Sequence, residues 1–151
     1  MKRSKKIGVM IFVLTLLIQL IAATYVDAAT TKKTTTNNNV YVKQVSRNGG
    51  LVGIPAKIRK NPKATIARWH LCRILKNLYD GRIQVAATWI DGASLNQSWT
   101  CGILTTVSSQ LGRKVSWGGG SPKAKVNLGI ACQLIVLMIN QDARLKPAKW
   151  S

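Results

Sequence analysis

Residues 126–139 read VNLGIACQLIVLMI, a run with no charge and little polarity in a chain otherwise crowded with lysine and arginine. Such a segment must leave water. As a helix rising 1.5 Å per residue it would be about 21 Å long, short of the roughly 30 Å of bilayer hydrocarbon. It therefore predicts a buried core helix over residues 125–142, closed by Pro147, and not a membrane span.

The chain carries 23 Lys and Arg against four acidic residues, all Asp, for a formal charge of +19. At its start, MKRSKK is a basic n-region, residues 7–23 are an apolar h-region, and Val26, Asp27 and Ala28 form a small-residue cleavage site. This order predicts a signal peptide over residues 1–28, or an anchor if it is retained, with export of the remainder: secreted, periplasmic or at the cell surface. About +16 stays with the mature part. A field of one sign favours polyanions: nucleic acid, anionic lipid or the acidic polymers of a cell envelope. Solubility alone does not require one sign so exclusively.

Residues 29–39 (ATTKKTTTNNN) hold no large apolar side chain and are expected to be a flexible tether before a small globular domain over residues 40–151. Within that domain, VYVKQV (40–45) reads as a strand, Asn48, Gly49 and Gly50 as a turn, and 51–54 as the returning strand. Asn61 and Pro62 are suited to open a helix running to Tyr79, stopped by Gly81. One of its faces is apolar (Ala67, Leu71, Ile74, Leu75, Leu78), and the other gathers Lys63, His70, Arg73, Lys76 and Asn77. Residues 82–90 and 113–117 have strand character. Ser98 or Thr100 could cap a helix ending at Gly112, with a strand as the alternative. No internal repeat of useful length is visible. The expected fold class is α+β: two main helices, 61–79 and 125–142, packed on a short antiparallel sheet.

Cys72, Cys101 and Cys132 in an exported chain predict one disulfide and one free thiol, the pair unspecified. A bridge closing a loop of this length would contribute on the order of 3.5 kcal/mol. The spacing is not that of a zinc site, and no metal or cofactor is expected. His70 and Cys72 lie two apart on a helix and point away from each other, so they make no thiol–base pair. The three mature carboxylates, Asp80, Asp91 and Asp142, suit turns and helix ends. Within SLNQSWTCGILTTVSSQLG, Gln97 and Cys101 resemble the nucleophile segment of the papain-like cysteine peptidases that trim double-glycine leader peptides. The resemblance implies a thiol at a helix start, activated there, with Gln97 supporting an oxyanion. Those enzymes also need a histidine downstream of the cysteine, and none follows Cys101.

WGGGSPKAK (117–125) lacks the phosphate-loop spacing, but the start of the core helix could direct free N–H groups at an anion near residues 121–125. Trp69, Trp117 and Trp150 lie near cationic side chains, a pairing suited to bases, sugars or headgroups, whereas Trp89 and Trp99 are expected in the core.

These readings lead to an exported cationic binding protein whose partner is an anionic polymer or anionic membrane surface. Nucleic acid is included, without sequence specificity. The candidate contacts are Lys57, Arg59, Lys60 and Lys63, then Arg73 and Lys76, then Arg113, Lys114, Lys123 and Lys125. An accessory component of an envelope or secretion assembly, a cysteine hydrolase using Cys101, and a cationic toxin or antimicrobial are the alternatives.

Overall fold

The computed structural model describes residues 38–151, and the expected signal, cleavage site and most of the tether lie outside them. The described backbone is helical: α1 (Asn38–Arg47), α2 (Ala56–Arg59), α3 (Arg68–Tyr79), α4 (Gln97–Gln110) and α5 (Leu128–Ile139), with 3-10 turns at Ala87–Trp89 and Ala143–Leu145. Among the described residues there is no strand, only three isolated bridges. The expected α+β class is thus corrected to an all-α fold.

Each misplaced strand has a physical reason. VYVKQV lies within α1, because Val42 and Val45, three apart, are both buried on one helical face; burial of that face outweighs the β preference of valine. Asn48 to Gly50 do turn the chain, but as the C-terminal closure of α1: Gly49 adopts φ +80° and Gly50 N donates to Val45 O at 2.9 Å. Residues 82–86 and 113–117 are irregular and have no partner strand among the described residues. A glutamine side chain takes the partner's place in each. Gln110 accepts from Gln84 N (2.6 Å) and donates to Gln84 O (3.1 Å), and Gln141 does the same with Ser116 N (3.0 Å) and Ser116 O (2.8 Å).

The structure also overturns the expectation of no repeat. Three units superpose by pattern: a buried aliphatic residue (Ile66, Leu95, Val126), an N-cap position (Ala67, Asn96, Asn127), a cysteine in the second helical turn (Cys72, Cys101, Cys132), and two aliphatic residues (Ile74–Leu75, Ile103–Leu104, Leu134–Ile135). The units close on one another cyclically. Thr65 bridges Asn127, Ser94 bridges Ala67, and Lys125 bridges Asn96.

The same cycle satisfies the first N–H groups of the three helices, which have no partner within a helix. Leu128 N and Gly129 N donate to Ala64 O and Pro62 O (3.0 and 2.8 Å). Arg68 N and Trp69 N donate to Ala93 O and Asp91 O (2.9 and 3.2 Å), and Gln97 N and Ser98 N to Ala124 O and Pro122 O (2.9 and 3.0 Å). The third N–H is held by the cap: Asn96 Oδ1 accepts from Trp99 N (2.8 Å) and Asn127 Oδ1 from Ile130 N (2.9 Å). Ala67 has no side-chain acceptor, so His70 N donates to Ala67 O at 3.0 Å, and the side-chain bond reverses, with Ala67 N donating to His70 Nδ1 at 2.9 Å. This is why α3 begins at Arg68 and not near Asn61: the carbonyls of Pro62 and Ala64 are needed as acceptors in the ring. Likewise α5 is shorter than the expected 125–142.

Inside the ring, Leu71, Ile74 and Leu75 of α3, Leu104 and Val107 of α4, and Leu128, Ile135 and Met138 of α5 are fully buried. α1 packs along α5, so that helix is covered almost all round, with Leu137 its only large exposed apolar side chain at 43%. No helix of the described residues is long and apolar enough to cross a membrane. The carboxyl end is tied back through Tyr79 Oη, which donates to Leu145 O, and through Ser151 N, which donates to Asn48 Oδ1 at 2.8 Å.

A Cβ on Gly129 would lie 2.7 Å from Asn38 Cβ and 3.0 Å from Pro62 O. Gly129→Ala is therefore expected to lower stability by about 1–3 kcal/mol through overpacking. Asn127→Ala should cost about 1 kcal/mol through loss of the cap alone. Urea unfolding of the two variants checks both values, and Asn127→Ala as stable as the parent would contradict the role given to the ring.

Candidate functional site

The outer face of α3 carries a continuous stripe: Trp69, Cys72, Arg73, Lys76, Asn77 and Asp80 recur at the three- and four-residue spacing that places side chains on one side of a helix. Two neighbouring segments convert that stripe into a groove. On one side, Asn77 Nδ2 donates to Gly50 O (2.9 Å) and Val52 O (2.7 Å), pinning the 49–53 turn beside the helix. Gly53, at φ +76°, lets Arg73 pass close: a Cβ there would be 3.2 Å from Arg73 Nε. On the other side, Cys72 Sγ donates to Trp89 O at 3.5 Å and brings Ile90 against the helix. Asp91 follows and pairs with Arg68 at 2.9 Å.

The result is two adjoining hollows that share Arg73 and Lys76. One, of about 350 Å³, is open and polar, lined also by Gly49, Val52, Asn77 and Asp80. The other, of about 200 Å³, has an apolar wall of Trp69, Cys72 and Ile90. Val52 and Ile90, on the two lips, remain 64% and 54% exposed. Trp69 stacks on His70 with ring centroids 3.7 Å apart, which holds the indole in place.

Of the expected contact residues, the structure brings Arg73 and Lys76 together in this groove and disperses the others. Lys57, Arg59 and Lys60 stand exposed on and just after α2, and Lys63 follows in the next loop. Lys63 and Lys123 occupy equivalent places in the first and third units, at the helix N-terminal end, with Lys125 nearby. Arg113 and Lys114 lie past the other end of α4, where Arg113 Nε is 3.5 Å from Asp142 Oδ2. Hydrogen bonds from Arg144 hold the Asp142 carboxyl far below the usual carboxylate range. Arg113 is thus a paired cation. The sequence reading paired Trp69 with cations and put Asn77 on the polar face of the helix without making either a contact residue, and it missed Asp80 and Ile90, although WHLCRILKNLYD displays the stripe. Val52 and Ile90 lie in separate segments, and only folding brings them to it.

Three other expectations are corrected. The anion site near residues 121–125 is closed, because Ala64 O, Pro62 O and the Asn127 side chain already take the leading N–H groups of α5. No disulfide forms among Cys72, Cys101 and Cys132, which occupy equivalent positions on three different helices and are all free. Burial pushes the Cys72 thiol up to about 11 and Cys132 up to about 12. Cys101 sits in the second turn of α4, not at its start, and burial pushes its thiol up also, opposite to what the peptidase resemblance implies. Trp89 and Trp99, expected in the core, are half-buried at its edge, and Arg68 lies 4.7 Å over the Trp99 ring.

His70, placed on the cationic face by the sequence, is 6% exposed. Burial lowers its pKa below the ordinary 6.5, and its Nδ1 must stay unprotonated to accept from Ala67 N. A histidine with a depressed folded pKa contributes stability above the unfolded value and loses it as pH falls through 6.5 towards the folded one. The urea midpoint should fall between about pH 7 and pH 5 in the parent, and fall less in His70→Gln, whose amide can accept the same cap bond.

Thiol titration is expected to count three free thiols in denaturant, with only half-buried Cys101 reacting, slowly, in the folded protein. A count of one would restore a disulfide. No protein-family model, curated protein or solved structure matches this chain.

Proposed function

We propose that this domain is an exported binding module for an anionic polymer or surface outside the cytoplasm. The observation that carries the reading is the imbalance of charge that folding leaves in place. Residues 38–151 contain 17 Lys and Arg and three Asp. Among the described residues only Arg68, Arg113 and Arg144 reach a carboxylate, so fourteen cations are left uncompensated. A chain that needed charge only for solubility could neutralise neighbours with Glu, yet it contains none. Export rests on the order of basic, apolar and small residues at the N-terminus.

Attraction of this kind acts by releasing counterions, so binding to duplex DNA or heparin should weaken steeply with salt. Replacing Lys57, Arg59, Lys60 and Lys63 together by Gln is expected to lower the slope of log affinity against log salt by up to about four units on DNA. Arg113→Gln should change it less than Lys76→Gln, since Asp142 already holds Arg113. Affinity that does not respond to salt would remove the reading.

A further inference from the structure

The geometry points to the α3 groove as a seat for an acidic polysaccharide, with one sugar ring lying on Trp69, its acid group between Arg73 and Lys76, and hydroxyls of the next ring meeting Asp80. This assignment rests on the polyanion reading above and narrows its partner to a glycan.

The groups along α3 are ordered. Trp69 and Ile90 give an apolar wall at one end, Arg73 and Lys76 stand in the middle of both hollows, and Asp80 closes the far end. From Trp69 to Asp80 the helix rises about 16 Å, room for a run of rings and not a single one. A bare inorganic polyanion has no use for the apolar wall, and a lipid surface fits a projecting apolar patch better than a hollow of about 200 Å³. Asp80 separates the remaining two possibilities. It makes no salt bridge among the described residues, and it can only accept hydrogen bonds when ionised. A nucleic acid presents a phosphate at every step and would be repelled there. A sugar carrying an acid on only some of its rings offers hydroxyl donors instead. Asn77 lines the same hollow and, with its Nδ2 committed to Gly50 O and Val52 O, has its amide oxygen left as an acceptor.

The test compares three probes against the folded protein by isothermal titration at physiological ionic strength: a hyaluronan oligosaccharide, inorganic polyphosphate and oligo(dT). Trp69→Ala should weaken hyaluronan binding by about tenfold, the scale of a ring stacked on an aromatic face, and leave polyphosphate binding within about twofold. Ile90→Asn, at an exposed lip, serves as a second variant should Trp69→Ala fail to fold, and it should give the same pattern. Asp80→Asn should weaken hyaluronan and strengthen polyphosphate. Hyaluronan binding that ignores all three changes, with polyanion binding still salt-dependent, overturns this inference and leaves the broader function standing. Trp69-dependent binding of oligo(dT) without binding of hyaluronan overturns it in favour of single-stranded nucleic acid. Failure of every probe to bind removes the broader reading as well.

Discussion

The rest of the structure depends on the cyclic exchange of main-chain hydrogen bonds where α3, α4 and α5 begin. Three helix N-termini, each equivalent to roughly half a positive charge, converge there in a chain already short of acid. Six N–H groups leave water, and each left without a partner would cost about 1–3 kcal/mol, enough together to exceed the stability of a small domain. Carbonyls from residues 62, 64, 91, 93, 122 and 124 remove that cost, and each pair comes from a neighbouring unit. The ring therefore does two things at once: it sets the mutual position of the helices and neutralises their positive ends. It also leaves none of the leading N–H groups of these three helices free for an outside anion, so the proposed recognition would have to come from side chains.

The elements most visible in the sequence are those whose burial follows from composition alone. Residues 126–139 leave no alternative to a core helix, and the apolar face of α3 is plain from its spacing. What the sequence hides is where backbone groups find partners. The segments read as strands are rich in β-branched residues, but Gln110 bonds Gln84 in one and Gln141 bonds Ser116 in another where a neighbouring strand would stand, and a lone side chain leaves no alternating pattern to detect. The repeat was hidden for a related reason. Its units share an N-cap, a cysteine and an aliphatic pair, while their exposed positions have diverged in charge and size, and Ala67 breaks the cap pattern that Asn96 and Asn127 would have announced. The cationic half of the groove was legible from Arg73 and Lys76. Its apolar lips were not, since their closeness depends on Asn77 and on Cys72 reaching across to other segments.

A symmetrical scaffold here presents three chemically different faces. The positions matching Trp69, Arg73, Lys76 and Asp80 are Ser98, Gly102, Thr105 and Ser109 on α4, and Gly129, Gln133, Val136 and Asn140 at α5. The first set is small and neutral. The second is blocked at its start, where Asn38 of α1 stands so close to Gly129 that no side chain would fit between them.

Under the proposed binding, that asymmetry would set the valency of the described domain. A polymer with many equivalent binding segments would meet one α3 groove per domain, so a single domain would decorate such a polymer without bridging two strands of it through this face. Bridging would need a second copy held nearby, and the gain would then come from effective concentration and not from any new contact.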